Sequence, residues 1–242
     1  MQADPTSHPI VPPAPLTERG YVSHLDASAD YLLYFNANSV VLLPHQHERP
    51  ALHLHHHTHI AAAAFSHDGR LVASIETKGT LLISEVCPDR LLIVHRYDGV
   101  FANAKAISWS ADRKRVCIVG DGKGKYGRVI MVETGTNSGE ISGVSMQLNA
   151  CSFRPERPFK LAVGGDGQEL KFYDGPPYSY LKSDQAHKGY INQLQYSQKG
   201  SWLASVGADK RIVIFDGKTF DKVAEKETAH SYGIYGLDWI DD

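Results

Sequence analysis

The sequence predicts an all-β fold made of small sheets that repeat along the chain. An aromatic residue closes a short apolar stretch at regular intervals, and these residues are Phe65, Trp109, Phe153, Tyr196 and Trp239. Their spacings are 44, 44, 43 and 43 residues. Turn residues and a second apolar run follow each of the first four. A period in the low forties with several short strands per period is typical of a β-propeller, in which each repeat forms one four-stranded blade.

The repeat that ends near Lys226 shows this plan most clearly. Residues 190–196 alternate between apolar and polar side chains, as a half-buried strand does. Residues 202–206 and 211–215 and a strand near Val223 follow, each after turn residues. The same plan is expected at residues 60–86, 106–132 and 148–173 and, in a more divergent form, at residues 31–43.

The repeats divide the chain into two predicted parts. Residues 1–16 are rich in proline and predict an extended N-terminal arm. Residues 17–242 predict a partial propeller of about five blades, and His230–Trp239 would begin another blade. Because an unclosed ring exposes an apolar sheet face at each end, we expect this polypeptide alone to be marginally stable or to self-associate.

Composition excludes several classes of function. The formal net charge is −2 and the isoelectric point is about 6.7, which disfavours nucleic-acid binding through bulk charge. No run of 18 apolar residues is present, so no membrane span is expected. The three cysteines are scattered and odd in number, as in proteins of a reducing compartment without a disulfide framework.

Polar residues recur at fixed positions within the repeats. A histidine lies nine residues before the first-strand aromatic at His56, His187 and His230. These intervals resemble the WD-repeat family, whose structural tetrad would consist here of His187, Ser205, Asp209 and Phe215. Only this repeat carries the full set, since other repeats place Val144, Gly167, Lys78 and Ser84 at tetrad positions.

A histidine, a serine and an aspartate also suggest a catalytic triad, but the sequence argues against an enzyme. In the WD repeat these groups lie beneath the turns of one blade and hydrogen-bond each other, which satisfies buried polar atoms. A nucleophile needs an exposed oxygen beside an oxyanion site. No catalytic residue and no cofactor are therefore expected.

Several segments go beyond the general repeat. They lie at residues 36–40, 134–143, 153–159, 174–178 and 213–219. Together they resemble the N-terminal half of the actin-interacting protein 1 family, and the resemblance runs from about Thr17 to Trp239. The run RPERPFKLAVGGDGQELKFYDGPPY, at residues 154–178, is its most specific part, because no general WD repeat requires these prolines.

The resemblance implies a function in the actin cytoskeleton of the cytoplasm. Members of the family bind actin filaments decorated with cofilin and promote their disassembly. They are typically two seven-bladed propellers in tandem, so the chain would supply about five blades of an incomplete seven-bladed ring. Neither a cofactor nor chemistry on a substrate is implied. The alternative is a truncated or diverged WD-repeat scaffold for protein–protein interaction that lacks actin activity.

The resemblance also implies candidate residues for binding actin or cofilin. These are Asp121, Asp166 and Tyr180, with Tyr178 beside it. A second acid of the loop that contains Asp121 is replaced here by Gly124. Because Tyr178 and Tyr180 lie two residues apart, an extended segment would direct both to one side. The alternative is that one or both pack between blades.

Two other segments invite different functions. His53, His55, His57 and His59 alternate, so an extended strand would place all four on one face, where imidazoles can hold a transition metal. No cysteine or carboxylate lies close in sequence on that face, and no metal site is expected. Residues 120–127 are rich in glycine and lysine but lack the spacing of a phosphate-binding loop, and we expect a flexible loop between strands.

Overall fold

The structure is a computed structural model that describes residues 25–46, 49–122 and 124–240. These residues form five antiparallel sheets of four strands each. The predicted arm at residues 1–16 lies outside the described residues, as does Thr17. The sequence prediction of an all-β, partial and unclosed propeller is confirmed. The described residues contain no helix long and apolar enough to cross a membrane.

Each sheet is one blade, and its strands follow one another in chain order. Blade 1 consists of β1 (Asp26–Ala27), β2 (Tyr31–Asn36), β3 (Ser39–Pro44) and β4 (Leu52–His55). Blade 2 consists of β5 (Ile60–Phe65), β6 (Leu71–Glu76), β7 (Leu81–Val86) and β8 (Leu91–Tyr97). Blade 3 consists of β9 (Ala104–Trp109), β10 (Arg115–Gly120), β11 (Gly127–Met131) and β12 (Asn137–Glu140). Blade 4 consists of β13 (Leu148–Phe153), β14 (Lys160–Gly165), β15 (Leu170–Asp174) and β16 (Ser179–Asp184). Blade 5 consists of β17 (Ile191–Tyr196), β18 (Trp202–Gly207), β19 (Ile212–Asp216) and β20 (Lys222–Lys226).

The core lies between the blades rather than within any one of them. The first strand of each blade packs against the first strand of the next, and apolar side chains of facing sheets fill the gap. Between blades 4 and 5, the ring of Phe172 lies 4.2 Å from that of Phe220 and 5.6 Å from that of Phe215. A single blade cannot bury both of its apolar faces, so the blades are stable only as a stack.

The repeating aromatic residues join neighbouring blades by hydrogen bonds. The backbone N–H of Phe153 donates to Ser108 Oγ of the preceding blade at 3.1 Å. The indole N–H of Trp109 donates to the backbone oxygen of Ala64 in the preceding blade at 3.0 Å. These contacts connect residues about one period apart, which explains why the aromatic spacing is so regular.

The segment that follows blade 5 corrects one prediction. Residues 230–239 were expected to form the first strand of another blade, but in the described residues after Lys226 no strand forms. The indole N–H of Trp239 still donates to the backbone oxygen of Gln195 at 3.1 Å, as that of Trp109 donates to Ala64 of the preceding blade. The backbone N–H of Leu237 donates to Gln193 Oε1 at 2.9 Å. The segment therefore packs on blade 5 as a first strand would, although no strand pairs with it among the described residues.

The proline-containing run at residues 154–178 begins with a buried arginine, Arg154. Arg154 is 2% exposed. Its Nε donates to the backbone oxygen of Gly200 in blade 5 at 2.8 Å, and its Nη1 donates to that of Glu156 at 2.9 Å. A buried guanidinium is tolerated only where acceptors surround it. The turn after β13 supplies one acceptor and blade 5 supplies the other, which links blade 4 to blade 5.

A candidate protein-binding cleft on one face of blades 3 to 5

Four loops of blades 3 to 5 meet on one face of the stack. Because consecutive antiparallel strands reverse direction, the loop between the second and third strands of a blade lies on the same face as the link to the next blade. On this loop face, residues of blades 3 to 5 enclose a shallow cleft of about 300 Å³. The loop cleft is lined by Asp121, Tyr126, Met146, Gln147, Asp166 and Tyr190.

The carboxylate of Asp166 is held in a fixed orientation. Asn149 Nδ2 donates to Asp166 Oδ1 at 2.8 Å and lies 3.1 Å from the backbone oxygen of Ile191. Gln147 Nε2 donates in turn to Asn149 Oδ1 at 3.0 Å. The backbone N–H of Asp166 donates to the oxygen of Gln147 at 3.0 Å. The half-buried Asp166 is thus oriented by the first strand of its own blade.

Asp121 adds a second carboxylate from the neighbouring blade. Its backbone N–H donates to the oxygen of Asn103 at 3.2 Å, and its side chain is exposed. Lys105, on the first strand of blade 3, is close enough to interact with the charges of both Asp121 and Asp166. Burial lowers the pKa of Lys105, while the two carboxylates favour its charged form. Among the residues that the structure describes, the two carboxylates that line the cleft outnumber the one ammonium group that interacts with them.

Two exposed apolar side chains also line the cleft, and sequence analysis missed both. Met146 and Tyr190 are each about half exposed, although large apolar side chains in a well-packed propeller are mostly buried. Met146 lies in the link between β12 and β13, and Tyr190 lies just before β17 begins at Ile191. The alternating pattern of residues 190–196 placed Tyr190 inside a strand. No sequence signal indicates that these two links meet.

Blade 5 carries a buried network of a histidine, a serine and an acid. His187 Nε2 lies 2.9 Å from Ser205 Oγ, and His187 Nδ1 lies 3.0 Å from Asp209 Oδ1. The backbone N–H of Lys188 donates to Asp209 Oδ2 at 2.8 Å. Phe215 is fully buried in the core between blades 4 and 5. The Ser205 hydroxyl has no solvent exposure, so it cannot reach a substrate.

Blade 2 contains a second network that sequence analysis did not identify. His56 Nε2 lies 2.8 Å from Ser74 Oγ, and His56 Nδ1 lies 3.3 Å from Glu76 Oε1. Glu76 also accepts hydrogen bonds from the backbone N–H of His57 and from the hydroxyl of Thr58. The sequence prediction looked for the acidic member of the tetrad only four residues after Ser74, where the chain has Lys78. The sequence does contain a signal for this network, because the histidine and the serine are 18 residues apart in both blades.

Comparison with known proteins agrees with the repeat architecture. The family model named WD domain, G-beta repeat matches residues 178–216. Actin-interacting protein 1 of Drosophila melanogaster is 33% identical over 234 residues, which cover 94% of this chain and 38% of that protein. WD repeat-containing protein 1 of Xenopus tropicalis is 33% identical over 235 residues, and its Mus musculus counterpart is 32% identical over 235 residues, with the same two coverages.

Over 94% of its length the chain is similar to proteins of the actin-interacting protein 1 family of WD-repeat proteins. It spans 38% of the length of these relatives. Among the family-derived candidate residues, Asp121 and Asp166 line the same cleft, although they lie 45 residues apart in the sequence and belong to different blades.

The expectation that Tyr178 and Tyr180 face the same side is wrong. Tyr180 lies on β16 and is 46% exposed, whereas Tyr178 is 4% exposed and its ring lies 5.1 Å from that of Phe153. The reason is that β16 begins only at Ser179, so Tyr178 belongs to the preceding turn and points into the core between blades 3 and 4. Burial raises the pKa of its hydroxyl. Tyr178 therefore packs between blades, which was the alternative prediction, and is not available to a partner.

Tyr180 lies on the outer strand of blade 4, next to the turn between β15 and β16, and does not line the cleft. Its ring packs edge-on against Tyr173, at 6.0 Å between centroids. It also lies beside Gly143, which belongs to the same link between blades as Met146.

Gly124 adopts a backbone conformation that favours glycine. Its φ is +96°, in the left-handed region that side chains with a Cβ rarely adopt. An acidic residue at this position would be strained in the present loop conformation. Lys123, its neighbour, lies outside the described residues.

The alternating histidines do not form the single face that a continuous strand would give. β4 ends at His55, because the chain then turns to enter blade 2. Only His53 and His55 share a strand face, and their rings stack at 6.5 Å between centroids. Among the residues that the structure describes, no three histidine, cysteine or carboxylate side chains are grouped closely enough to hold a metal ion.

Proposed function

We propose that this chain is an actin-filament-binding module that promotes the disassembly of cofilin-decorated filaments. Its relatives include a protein named actin-interacting protein 1, of which the chain spans 38%. The partners would be actin filaments and cofilin, and the site of action would be the cytoplasmic actin cytoskeleton. Neither a nucleic acid nor a membrane is part of the proposal.

The observation that carries the proposal is that Asp121 and Asp166 line one cleft on the face where four loops meet. Loops on a rigid scaffold commonly bind partners, because the scaffold fixes their geometry before binding. The Asp166 carboxylate is already oriented by Asn149. Tyr180 adds an exposed aromatic ring, a type of side chain that often dominates interface energies.

No catalytic role is proposed. The two groupings that resemble a catalytic triad, at Ser74 and Ser205, have fully buried hydroxyls. Each hydroxyl is a hydrogen-bond partner of a buried histidine within its own blade. The two groupings satisfy the hydrogen-bonding capacity of polar groups buried inside the blades and do not present a nucleophile to a substrate.

A second candidate is a WD-repeat scaffold that binds another protein through the same loop face. Gly124 favours this alternative, because it replaces an acid that the family resemblance indicated. The two candidates share the cleft and differ in the partner. They are therefore separated by a binding measurement with actin, not by the fold.

The first test is cosedimentation of the chain with actin filaments, with and without cofilin, together with a filament-disassembly assay. Wild-type chain is expected to pellet with cofilin-decorated filaments, and Asp166→Ala to bind about tenfold more weakly. The matched control is Asp89→Ala, which removes an exposed carboxylate from the opposite face, in the turn between β7 and β8. Its binding should equal that of wild type.

Tyr180→Ala provides an independent arm of the same test. Ile93 is its control, because it is also 46% exposed and also lies on the outermost strand of a blade. Tyr180→Ala is expected to weaken binding by about fivefold or more, and Ile93→Ala to leave it unchanged. A folded wild-type chain that stays in the supernatant with and without cofilin contradicts the actin proposal and favours the scaffold. All variants are first checked for wild-type thermal melting.

A further inference from the structure

The loop cleft combines features that suit one type of side chain. Its walls carry two carboxylates, and its rim carries two exposed apolar groups, Met146 and Tyr190. We infer that the cleft binds a basic side chain of the partner, lysine or arginine, whose charge lies between Asp121 and Asp166 and whose aliphatic stem packs between Met146 and Tyr190. This inference rests on the proposed function and names the chemistry that its site recognises.

The charge of the cleft selects a cation. Asp121 is exposed, and Asp166 is half buried with one oxygen bonded to Asn149. Lys105 offsets only one of the two negative charges. A basic group from a partner would neutralise the cleft, and charge-assisted hydrogen bonds to carboxylates are stronger than neutral ones. An acidic partner group would add a third negative charge to the same small space.

The apolar rim selects a side chain with an aliphatic stem. Lysine and arginine bury such stems along apolar surface while their charged ends reach a polar group. The flexible thioether of Met146 adapts to a stem of either shape, and the ring of Tyr190 offers a π face to a cation. A small inorganic cation would use the carboxylates but would leave both exposed apolar side chains without a role.

The size and rigidity of the cleft fit a single side chain. Its volume of about 300 Å³ lies at the lower end of the range for ligand sites. Asp166 and Tyr190 are tied to the same framework, since Asn149 Nδ2 contacts both Asp166 Oδ1 and the backbone oxygen of Ile191, the residue after Tyr190. The charged wall and part of the apolar rim are therefore positioned before a partner binds.

The apolar half of the inference is tested with the full chain and cofilin-decorated actin filaments. Tyr190→Ala is expected to raise the dissociation constant about tenfold and Met146→Ala about threefold. Leu92→Ala is the control, because Leu92 is similarly exposed but lies on the outer strand of blade 2. Equal binding by wild type, Tyr190→Ala and Met146→Ala would overturn the inference while leaving actin binding intact.

The charged half is tested by salt dependence. Wild-type affinity should fall as NaCl rises from about 50 to about 200 mM, because salt screens the contact between unlike charges. The double variant Asp121→Asn and Asp166→Asn should bind more weakly and show a shallower dependence on salt. Tyr190→Ala should keep the wild-type dependence, and so should the control Asp89→Asn. A double variant with the wild-type salt dependence contradicts a basic group in the cleft.

Failure of the inference and failure of the proposed function give different results. If the wild-type chain does not bind cofilin-decorated filaments, the proposed function fails and the inference fails with it. If wild type binds but the cleft variants bind equally well, only the inference fails. Circular dichroism and thermal melting of each variant identify those that fail to fold, and the isosteric Asp→Asn changes keep an oxygen acceptor for Asn149.

Discussion

Blades 2 and 5 solve the same problem of burial with different residues. In both, a histidine bonds a buried serine 18 residues later. Blade 5 completes its network with Asp209, four residues after Ser205 and in the turn that follows β18. Blade 2 uses Glu76, only two residues after Ser74 and still within β6. The longer side chain of glutamate reaches the histidine from a different position, so the requirement is a buried acceptor rather than an acid at one fixed place.

The two blades differ more strongly at the aromatic position of the tetrad. In blade 5, Phe215 is fully buried and packs edge-on against Phe172. In blade 2, Ser84 stands in its place, also fully buried, and its hydroxyl lacks a hydrogen-bond partner. A buried hydroxyl without a partner is unfavourable, whereas a buried aromatic ring stabilises strongly. We therefore expect blade 5 to depend on its tetrad more than blade 2 does.

The largest expected effect comes from the aromatic position. Phe215→Ala removes a ring from the core between blades 4 and 5 and should lower the free energy of unfolding by about 3–5 kcal/mol. The matched change Ser84→Ala in blade 2 removes an unsatisfied hydroxyl and should change it by less than about 1 kcal/mol, in the stabilising direction if at all. Urea unfolding of both variants measures the difference. Comparable losses would show that the two positions are equivalent after all.

The acids come next in expected size. Asp209→Ala leaves His187 and the backbone N–H groups of Lys188 and Arg211 without their acceptor. It should therefore cost about 3–4 kcal/mol. Glu76→Ala frees His56, the backbone N–H of His57 and the Thr58 hydroxyl, which is partly exposed, and should cost about 2–3 kcal/mol.

Urea unfolding measures both losses, with Asp89→Ala as the control for removing an exposed carboxylate. A variant of Glu76 that is as stable as wild type would mean that the contacts in blade 2 are incidental. It would also mean that only the acid at the usual tetrad position matters.

A smaller effect tests whether the two acid positions are interchangeable. Glu76→Gln should cost about 1–2 kcal/mol, because a neutral amide is a weaker acceptor. Adding Lys78→Asp to that variant places an acid four residues after Ser74, as Asp209 lies four residues after Ser205. The double variant should recover at least half of the loss, whereas Lys78→Asp alone should not stabilise, because Glu76 already fills the site. Lack of any recovery would contradict interchangeable positions.

These networks also show what the sequence could and could not predict. Strands such as Leu148–Phe153 alternate or form short apolar runs, so they were predictable. The outer strand Asn137–Glu140 contains no apolar residue and gave no signal. Glu76 was missed because a search by position cannot tell which side chain reaches a histidine.

The candidate site was less predictable than the fold. Asp121 and Asp166 were candidates through family resemblance, but their shared cleft depends on how two blades pack side by side. Met146 and Tyr190 entered only with the structure, since exposure of a single apolar residue in a loop leaves no pattern. The burial of Tyr178 depends on where β16 begins, and two-residue spacing alone does not fix a strand boundary.

The smallest predicted effect is a difference in acid sensitivity. Burial lowers the pKa of His56 below its usual 6.5. The negative charge of Glu76 acts in the opposite direction, whereas the charges of His57 and Arg96 lower the pKa further. The unfolded chain therefore binds a proton at about pH 6.5 that the folded blade 2 does not, so stability falls as the pH drops through 6 toward 5. In blade 5, burial of Asp209 is outweighed by hydrogen bonds from His187 and Lys188, which lower its pKa below the usual 3.8. That contribution is lost only at lower pH.

Amide hydrogen exchange resolves this difference strand by strand. Between pH 7 and pH 5, after correction for intrinsic exchange, protection of β6 should fall by roughly fivefold, which corresponds to about 1 kcal/mol. The variant His56→Gln should remove this pH dependence of β6. Unchanged protection of β6 in the wild-type chain over that range would contradict the lowered pKa of His56.

Site-specific photo-crosslinking tests the central claim, that the loop face of blades 3 to 5 binds cofilin-decorated filaments, most directly. A photoreactive amino acid replaces Met146 in the loop cleft or, as the control, Leu92 on the outer strand of blade 2. We expect a crosslink to actin or cofilin from position 146 that depends on cofilin, and none above background from position 92. Equal crosslinking from both positions, or none from position 146 when the chain pellets with the filaments, would contradict it.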